Sequence, residues 1–150
     1  MNLAYVAGFF DGEGCVSFCR VRSSFYPRVL ITNTDLYVLK EIQNKFGGDI
    51  RKLVGRKKNW KQCYMLRICW SSAVDFLDKI SPYLRIKDRQ AHTVFAWAAI
   101  KPGRGKHSAE VQESYQAVME MLCDRMKWLN KRGVNNDPDP IDAIARGELS

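Results

Sequence analysis

Apolar positions change spacing several times along the chain, and each change marks a new element. Residues 3–10 form an apolar run that meets Asp11-Gly12-Glu13-Gly14, which predicts a short helix stopped where glycine accepts left-handed conformations. Residues 15–22 and 28–33 alternate and are rich in β-branched and aromatic side chains, so they read as a hairpin with residues 23–27 as its connection. Thr34 and Asp35 can cap a helix carrying Leu36, Leu39, Ile42 and Phe46, which ends at Gly47-Gly48. A second hairpin follows, with strands near residues 49–54 and 62–70. Ser72 and Asp75 resemble a capping box for a helix that stops before Pro82. The remainder is helical: Ala91, Val94, Phe95 and Ala98 form one stripe closed by Pro102-Gly103, and Val111, Tyr115, Val118, Leu122 and Leu129 form another that runs to Gly133. Asp139-Pro140 then caps a small terminal helix. The sum is αββαββ plus helices, an α+β fold with helices covering one face of an antiparallel sheet.

Strand parity divides the sheet. Val16, Phe18, Val29, Ile31, Leu66 and Ile68 point to the helices, while Ser17, Cys19, Val21, Tyr26, Arg28, Leu30, Met65 and Arg67 occupy the open face. Arg20 and Arg22 share the parity of Phe18, so either the strand outruns the core or a bulge shifts its register. The open face and its turns collect bases, and acids are nearly absent from them.

Composition fits a globular domain covering residues 1–133, followed by an acidic tail at 134–150: of 150 residues, 46% are hydrophobic and 27% charged. No apolar stretch approaches the roughly 18 residues a membrane span needs, so no membrane partner is expected. The net charge of +8 is concentrated at Arg51, Lys52, Arg56, Lys57, Lys58 and Lys61, a pattern that suits a polyanion or, read alone, a solvated basic loop. Cys15, Cys19, Cys63, Cys69 and Cys123 have neither disulfide-framework nor zinc-knuckle spacing. They fit a reducing intracellular compartment, the cytoplasm, nucleoid or an organelle matrix. The run at residues 3–10 has no basic flank and meets acids at once, so secretion is not expected.

The end of the first helix carries the candidate chemistry. Ala4, Ala7, Gly8 and Asp11 share one side of it, and small residues there let another helix approach closely. Asp11 and Glu13 stand at the negative end of the helix dipole, where a cation is needed for compensation.

The string Val6-Ala7-Gly8-Phe9-Phe10-Asp11-Gly12-Glu13-Gly14 resembles the signature of the LAGLIDADG homing endonucleases, with Val6 for leucine, Gly12 for alanine and Glu13 for the second aspartate. The resemblance extends over about residues 3–130 through the element order αββαββα and the segment Ser81-Pro82-Tyr83-Leu84-Arg85-Ile86-Lys87. It implies an antiparallel sheet forming a DNA-binding saddle, and, because one motif is present, a homodimer joined through Ala4, Ala7, Gly8 and Asp11. It further implies Mg²⁺ (or Mn²⁺) held by Glu13 and Gly12, with Glu13, Lys87 and Asn33 catalytic and Asp11 also supporting the turn. No small-molecule cofactor is implied. The expected function is hydrolysis of both strands of a long pseudo-palindromic DNA site. The alternative is a non-cleaving relative, either an intron RNA maturase or a DNA-binding regulator. Base contacts are expected from Ser17, Cys19, Tyr26, Arg28, Arg51, Gln62, Met65 and Arg67, with Arg20, Arg22 and Lys52 alongside. Arg56, Lys57, Lys58, Lys61, Arg104 and Lys106 are expected at phosphates.

Overall fold

The computed structural model describes residues 1–55, 57–103, 105–131, 139–145 and 147. The chain divides into two compact units, Met1–Ala91 and His92–Ser150; the expected boundary after residue 133 lies outside the described residues.

The first unit runs α1 (Leu3–Glu13), β1 (Gly14–Val21), β2 (Ser24–Asn33), α2 (Leu36–Phe46), β3 (Asp49–Lys52), β4 (Tyr64–Cys69), α3 (Trp70–Ile80) and a 3₁₀ turn, Ser81–Tyr83. Its four strands pair antiparallel in the order β1-β2-β4-β3. The α+β class and the expected element order are therefore present. Val16, Val29, Ile31, Leu66 and Ile68 are fully buried, on the parity that alternation predicts. They join Leu39, Ile42, Phe76, Leu77 and Ile80 from α2 and α3. Phe76 is the hub, meeting Phe10 and Phe46 edge-to-face at 5.2 and 4.9 Å, a geometry that adds attraction beyond area burial.

The register settles the question at Arg20. Pairing runs unbroken from Gly14↔Ile31 to Val21↔Ser24, so there is no bulge and the strand outruns the core. Arg20 lies on the helix-side parity with its guanidinium 5.4 Å from the Phe25 ring. The connection is also shorter than expected. Ser24 to Pro27 belong to β2, and Arg22 turns the chain with a φ of 54°. Pro27 fits the strand because it pairs with Phe18 beyond the end of β4, where no third strand needs its missing N–H.

The local signals hold at α2, where Asp35 accepts from the N–H groups of Tyr37 and Val38 at 2.9 and 3.3 Å, and Gly47 ends the helix with a φ of 81°. The proposed capping box at Ser72 does not form. Helix α3 starts earlier, at Trp70, and Cys69 precedes it without a side-chain cap bond.

The second unit contains most of α4 (Asp88–Ile100), then α5 (Ala109–Leu129) and α6 (Pro140–Ala145). Its buried side chains include Val94, Trp97, Met119, Leu122, Cys123 and Met126. Asp139 caps α6 as expected, accepting from Ile141 N–H at 3.0 Å, and lies 3.5 Å from Arg125. Among the described residues, no helix is long and apolar enough to cross a membrane.

Helix α1 continues through Gly12 and Glu13, and Gly14 that follows has a φ of −88°, so left-handed geometry does not explain the glycines. Space explains Gly14 alone: a Cβ there would lie 2.0 Å from the Phe10 ring and 2.7 Å from its carbonyl, whereas nothing lies within 4 Å of one on Gly12. Gly14→Ala is expected to lose about 2 kcal/mol through overpacking, while Gly12→Ala, in the last turn of α1, gains at most about 0.5 kcal/mol. Urea unfolding of the two variants checks this contrast.

Candidate nucleic-acid interface and catalytic centre

Asp11 is nine-tenths buried at the end of α1. Its carboxylate accepts from the backbone N–H groups of Arg85 (2.8 Å), Ile86 (3.2 Å) and Lys87 (2.9 Å). Lys87 closes the loop, since its Nζ donates to the Asp11 carbonyl oxygen and lies 5.9 Å from the centre of the Phe10 ring. The cation needed at this helix end is thus partly supplied from within the chain. The geometry also corrects the proposed interface: Asp11 and Ala7 are buried inside their own unit, whereas Ala4 and Gly8 are exposed. Four-residue spacing puts Ala4, Gly8 and Gly12 in one exposed row, beside Tyr5, which is 52% exposed and stacks on Phe9.

Glu13 is exposed, two residues beyond the carbonyl that Lys87 holds. Among the described residues it has no ion pair, and no group of three or more His, Cys, Asp or Glu side chains could hold a metal ion. What the chain offers is a carboxylate beside the backbone oxygen of Gly12. That all-oxygen set fits Mg²⁺ or Mn²⁺ in kind but supplies too few ligands alone.

Asn33 is placed differently from expectation. It has the helix-side parity of Val29 and Ile31, and its Oδ1 accepts from Asp35 N–H at 2.8 Å. One lone pair of its carbonyl thus serves the turn into α2, while its amide N–H groups make no hydrogen bond within that turn.

The open face of the sheet carries Cys15, Ser17 and Cys19 from β1, Tyr26, Arg28, Leu30 and Thr32 from β2, Met65, Arg67 and Cys69 from β4, and Asp49 and Arg51 from β3. Ser17 and Arg28 are cross-strand neighbours, and Ser17 Oγ and Arg28 Nε are buried without hydrogen-bond partners among the described residues. Such donors are costly unless a ligand meets them. Burial, followed by the neighbouring Cys19 thiol, raises Tyr26 above its ordinary value of 10.0, so its hydroxyl stays a donor at neutral pH. Burial likewise pushes the Cys69 thiol up.

Other expected contacts fall elsewhere. Arg20 and Lys52 share the helix-side parity, and Arg22 forms the hairpin turn. Gln62 points into the second hairpin, its amide donating to the Leu53 and Cys63 carbonyls at 3.0 and 2.8 Å, and so cannot offer those donors to a base. Lys57, Lys58, Lys61 and Lys106 are exposed, as phosphate contacts require. Arg56 and Arg104 lie outside the described residues, as does most of the acidic tail.

Two participants were missed. Trp70 has a φ of 57°, is 47% exposed, and stacks on Tyr26 with ring centres 4.5 Å apart. Asp49 places an acid on the basic face, within 2.9 Å of Arg51 and 3.1 Å of Arg67. Its two-residue spacing from Arg51 in a strand was the available signal. Burial raises the Asp49 carboxyl, but the hydrogen bonds from Arg51 and Arg67 outweigh it and hold the group below its ordinary 3.8. Its contribution to stability, small for so exposed a cluster, is present above pH 3.8 and is lost as pH falls through the depressed value.

The family model for the LAGLIDADG-like domain matches residues 1–81. The chain belongs to the LAGLIDADG family. The fold is similar to that of the homing endonuclease I-CvuI in complex with its target in the presence of Ca, at 21% identity over 95% of this chain and 90% of that one, with a TM-score of 0.67. It is similar to the archaeal intron-encoded homing endonuclease I-Vdi141I complexed with DNA, at 18% identity over 99% and 97% of the chains and a TM-score of 0.61. The LAGLIDADG meganuclease I-CpaMI bound to uncleaved DNA matches at 17% identity and a TM-score of 0.60; 99% of this chain covers 48% of that one. No curated protein matches the sequence. At these identities the structural likenesses establish the LAGLIDADG fold.

Replacing Asp11 by Ala leaves three donors without their acceptor and is expected to lose about 3 kcal/mol, with less lost in Asp11→Asn, which keeps one oxygen. Urea unfolding measures the loss, and amide exchange faster at residues 85–87 than across the sheet locates it.

Proposed function

We propose that the protein is a homing endonuclease that hydrolyses both strands of a long, pseudo-palindromic DNA site as a homodimer. The observation that carries this reading is the meeting of Lys87 with the α1 terminus that presents Glu13. A structural stop before a hairpin needs neither a half-buried lysine there nor a free carboxylate beside it.

Helix α1 is apolar on nearly every side, and such a helix is ordinarily covered all round. Its row of Ala4, Gly8 and Gly12 suits close approach of an identical helix about a two-fold axis. The half-length match to I-CpaMI supports the same arithmetic, two units per DNA-bound assembly. In that arrangement the two Glu13 carboxylates and Gly12 carbonyls come together and complete the oxygen set that one chain lacks. Mg²⁺ or Mn²⁺, when bound there, supplies Lewis-acid stabilisation for phosphodiester hydrolysis. Lys87 holds a positive charge beside the phosphate, where negative charge develops in the transition state. The open face reads base edges through Arg28, Arg51, Arg67, Tyr26 and Ser17, and the exposed lysines hold phosphates. All five cysteines are free, which suits a reducing intracellular compartment.

Incubation with plasmids carrying a randomised site library, followed by sequencing of the ends, tests the proposal. Cleavage at one recurring site is expected with Mg²⁺, falling about a hundredfold or more in Glu13→Gln and Lys87→Met while Glu13→Gln still binds the site. Light scattering is expected to give twice the 17.3 kDa chain mass. A strict monomer, or undiminished cleavage by Glu13→Gln, overturns the reading; tight binding to intron RNA with DNA left intact replaces it with the maturase role.

A further inference from the structure

The acid on the basic face is placed with care. Asp49 begins β3 directly opposite Arg67 of β4, and the glycine before it makes the approach feasible. A Cβ on Gly48, whose φ is 98°, would lie 2.5 Å from the Arg67 carbonyl oxygen and 2.9 Å from the Ile68 side chain. With that space open, Asp49 Oδ1 accepts from Arg67 Nε at 3.1 Å, and Oδ2 accepts from Arg67 Nη2 at 3.4 Å and Arg51 Nε at 2.9 Å.

The contacts are one-sided. Arg67 donates from its Nε and Nη2 edge and Arg51 from Nε, so N–H groups at the far ends of both guanidiniums remain for another acceptor. A guanidinium has five N–H donors, and reading a guanine through O6 and N7 uses two. Arg67, with its side chain 32% exposed, is the more constrained; Arg51, at 58%, is the freer. A carboxylate facing a polyanion lowers affinity, so an acid here serves something other than adhesion.

We propose that Asp49 is a specificity-determining positioning residue: it orients Arg67, and secondarily Arg51, to read guanine in the major groove, and it restrains both from pairing with phosphates. The inference rests on the DNA-binding reading above. Its signature is two effects of opposite sign. Releasing the arginines blurs base preference, and at the same time it adds one unit of net positive charge to the face, which strengthens sequence-independent binding.

The test is enrichment of bound duplexes from a randomised pool in Ca²⁺, using the full chain as wild type, Asp49→Ala, Asp49→Asn and Arg67→Ala, with affinity for one fixed non-target duplex measured across a salt series. The wild type is expected to enrich a two-fold symmetric motif, and Arg67→Ala to lose guanine preference at one symmetry-related pair of positions. Asp49→Ala is expected to lose about tenfold preference at that same pair, with non-target affinity raised a few-fold and a steeper salt dependence. Asp49→Asn, which retains one acceptor oxygen but loses the charge, falls between in base preference and matches Asp49→Ala in non-target affinity and salt dependence. An unchanged motif in both Asp49 variants overturns the proposal. So does a uniform loss of preference at every position, because that is the mark of a damaged sheet. A wild type that enriches no motif overturns the DNA-reading function itself, an outcome distinct from failure at Asp49.

Discussion

A single buried carboxylate ties the two ends of the first unit together. Asp11 stands at the carbonyl end of a helix, out of water, where an anion is doubly disfavoured. It is tolerated because three backbone N–H groups, 74 to 76 residues further along the chain, converge on it. That convergence fixes the stretch leading into α4, and Lys87 is therefore delivered to the end of α1. The placement of the lysine relative to Glu13 is thus a consequence of satisfying Asp11. In the nine-residue motif the first acid organises the fold and leaves the second exposed at the end of the helix.

Periodicity was enough to show the element order, the buried parity of each strand and the cap at Asp35, because these follow from contacts within a few residues. Glu13 stood out locally as an acid at the negative end of a helix, but its nearness to Lys87 was legible only through resemblance to a family, since no local rule joins positions so far apart in sequence. The errors have physical causes of the same kind. Ala7 and Asp11 share a helix side with Ala4 and Gly8 in projection, but where burial begins around that helix depends on α3 and the turn at Ser81–Tyr83. Asn33 has a local role that its position before Thr34 and Asp35 already suggested, accepting from Asp35 N–H at the turn into α2. Trp70 has the helix-side parity by counting; its positive φ breaks the alternation and returns the ring to Tyr26 on the open face. Backbone of that kind has no reliable sequence signal outside glycine.

The two faces of the sheet follow different economies of charge. On the helix side, side chains are satisfied by one another. On the open side, Ser17 and Arg28 retain unmet hydrogen-bonding capacity, and the bases outnumber the single acid that organises two of them. The open face therefore carries more bases than acids and some unmet hydrogen-bonding capacity, and the arrangement resides on strands, whose positions are more tightly fixed than those of loops.

Because β4 ends opposite Arg28, the last part of the β1–β2 pair continues as a two-stranded ribbon with no neighbour on its β4 side. Ribbons of two strands coil more strongly than wide sheets, and this one runs from the buried Phe25 to a tip where Val21 is exposed. Cys19, Val21 and Ser24 all lie in this part, where the sheet is only two strands wide. The coil of the outer segment is thus set by two strands alone, whereas four paired strands set the wider part.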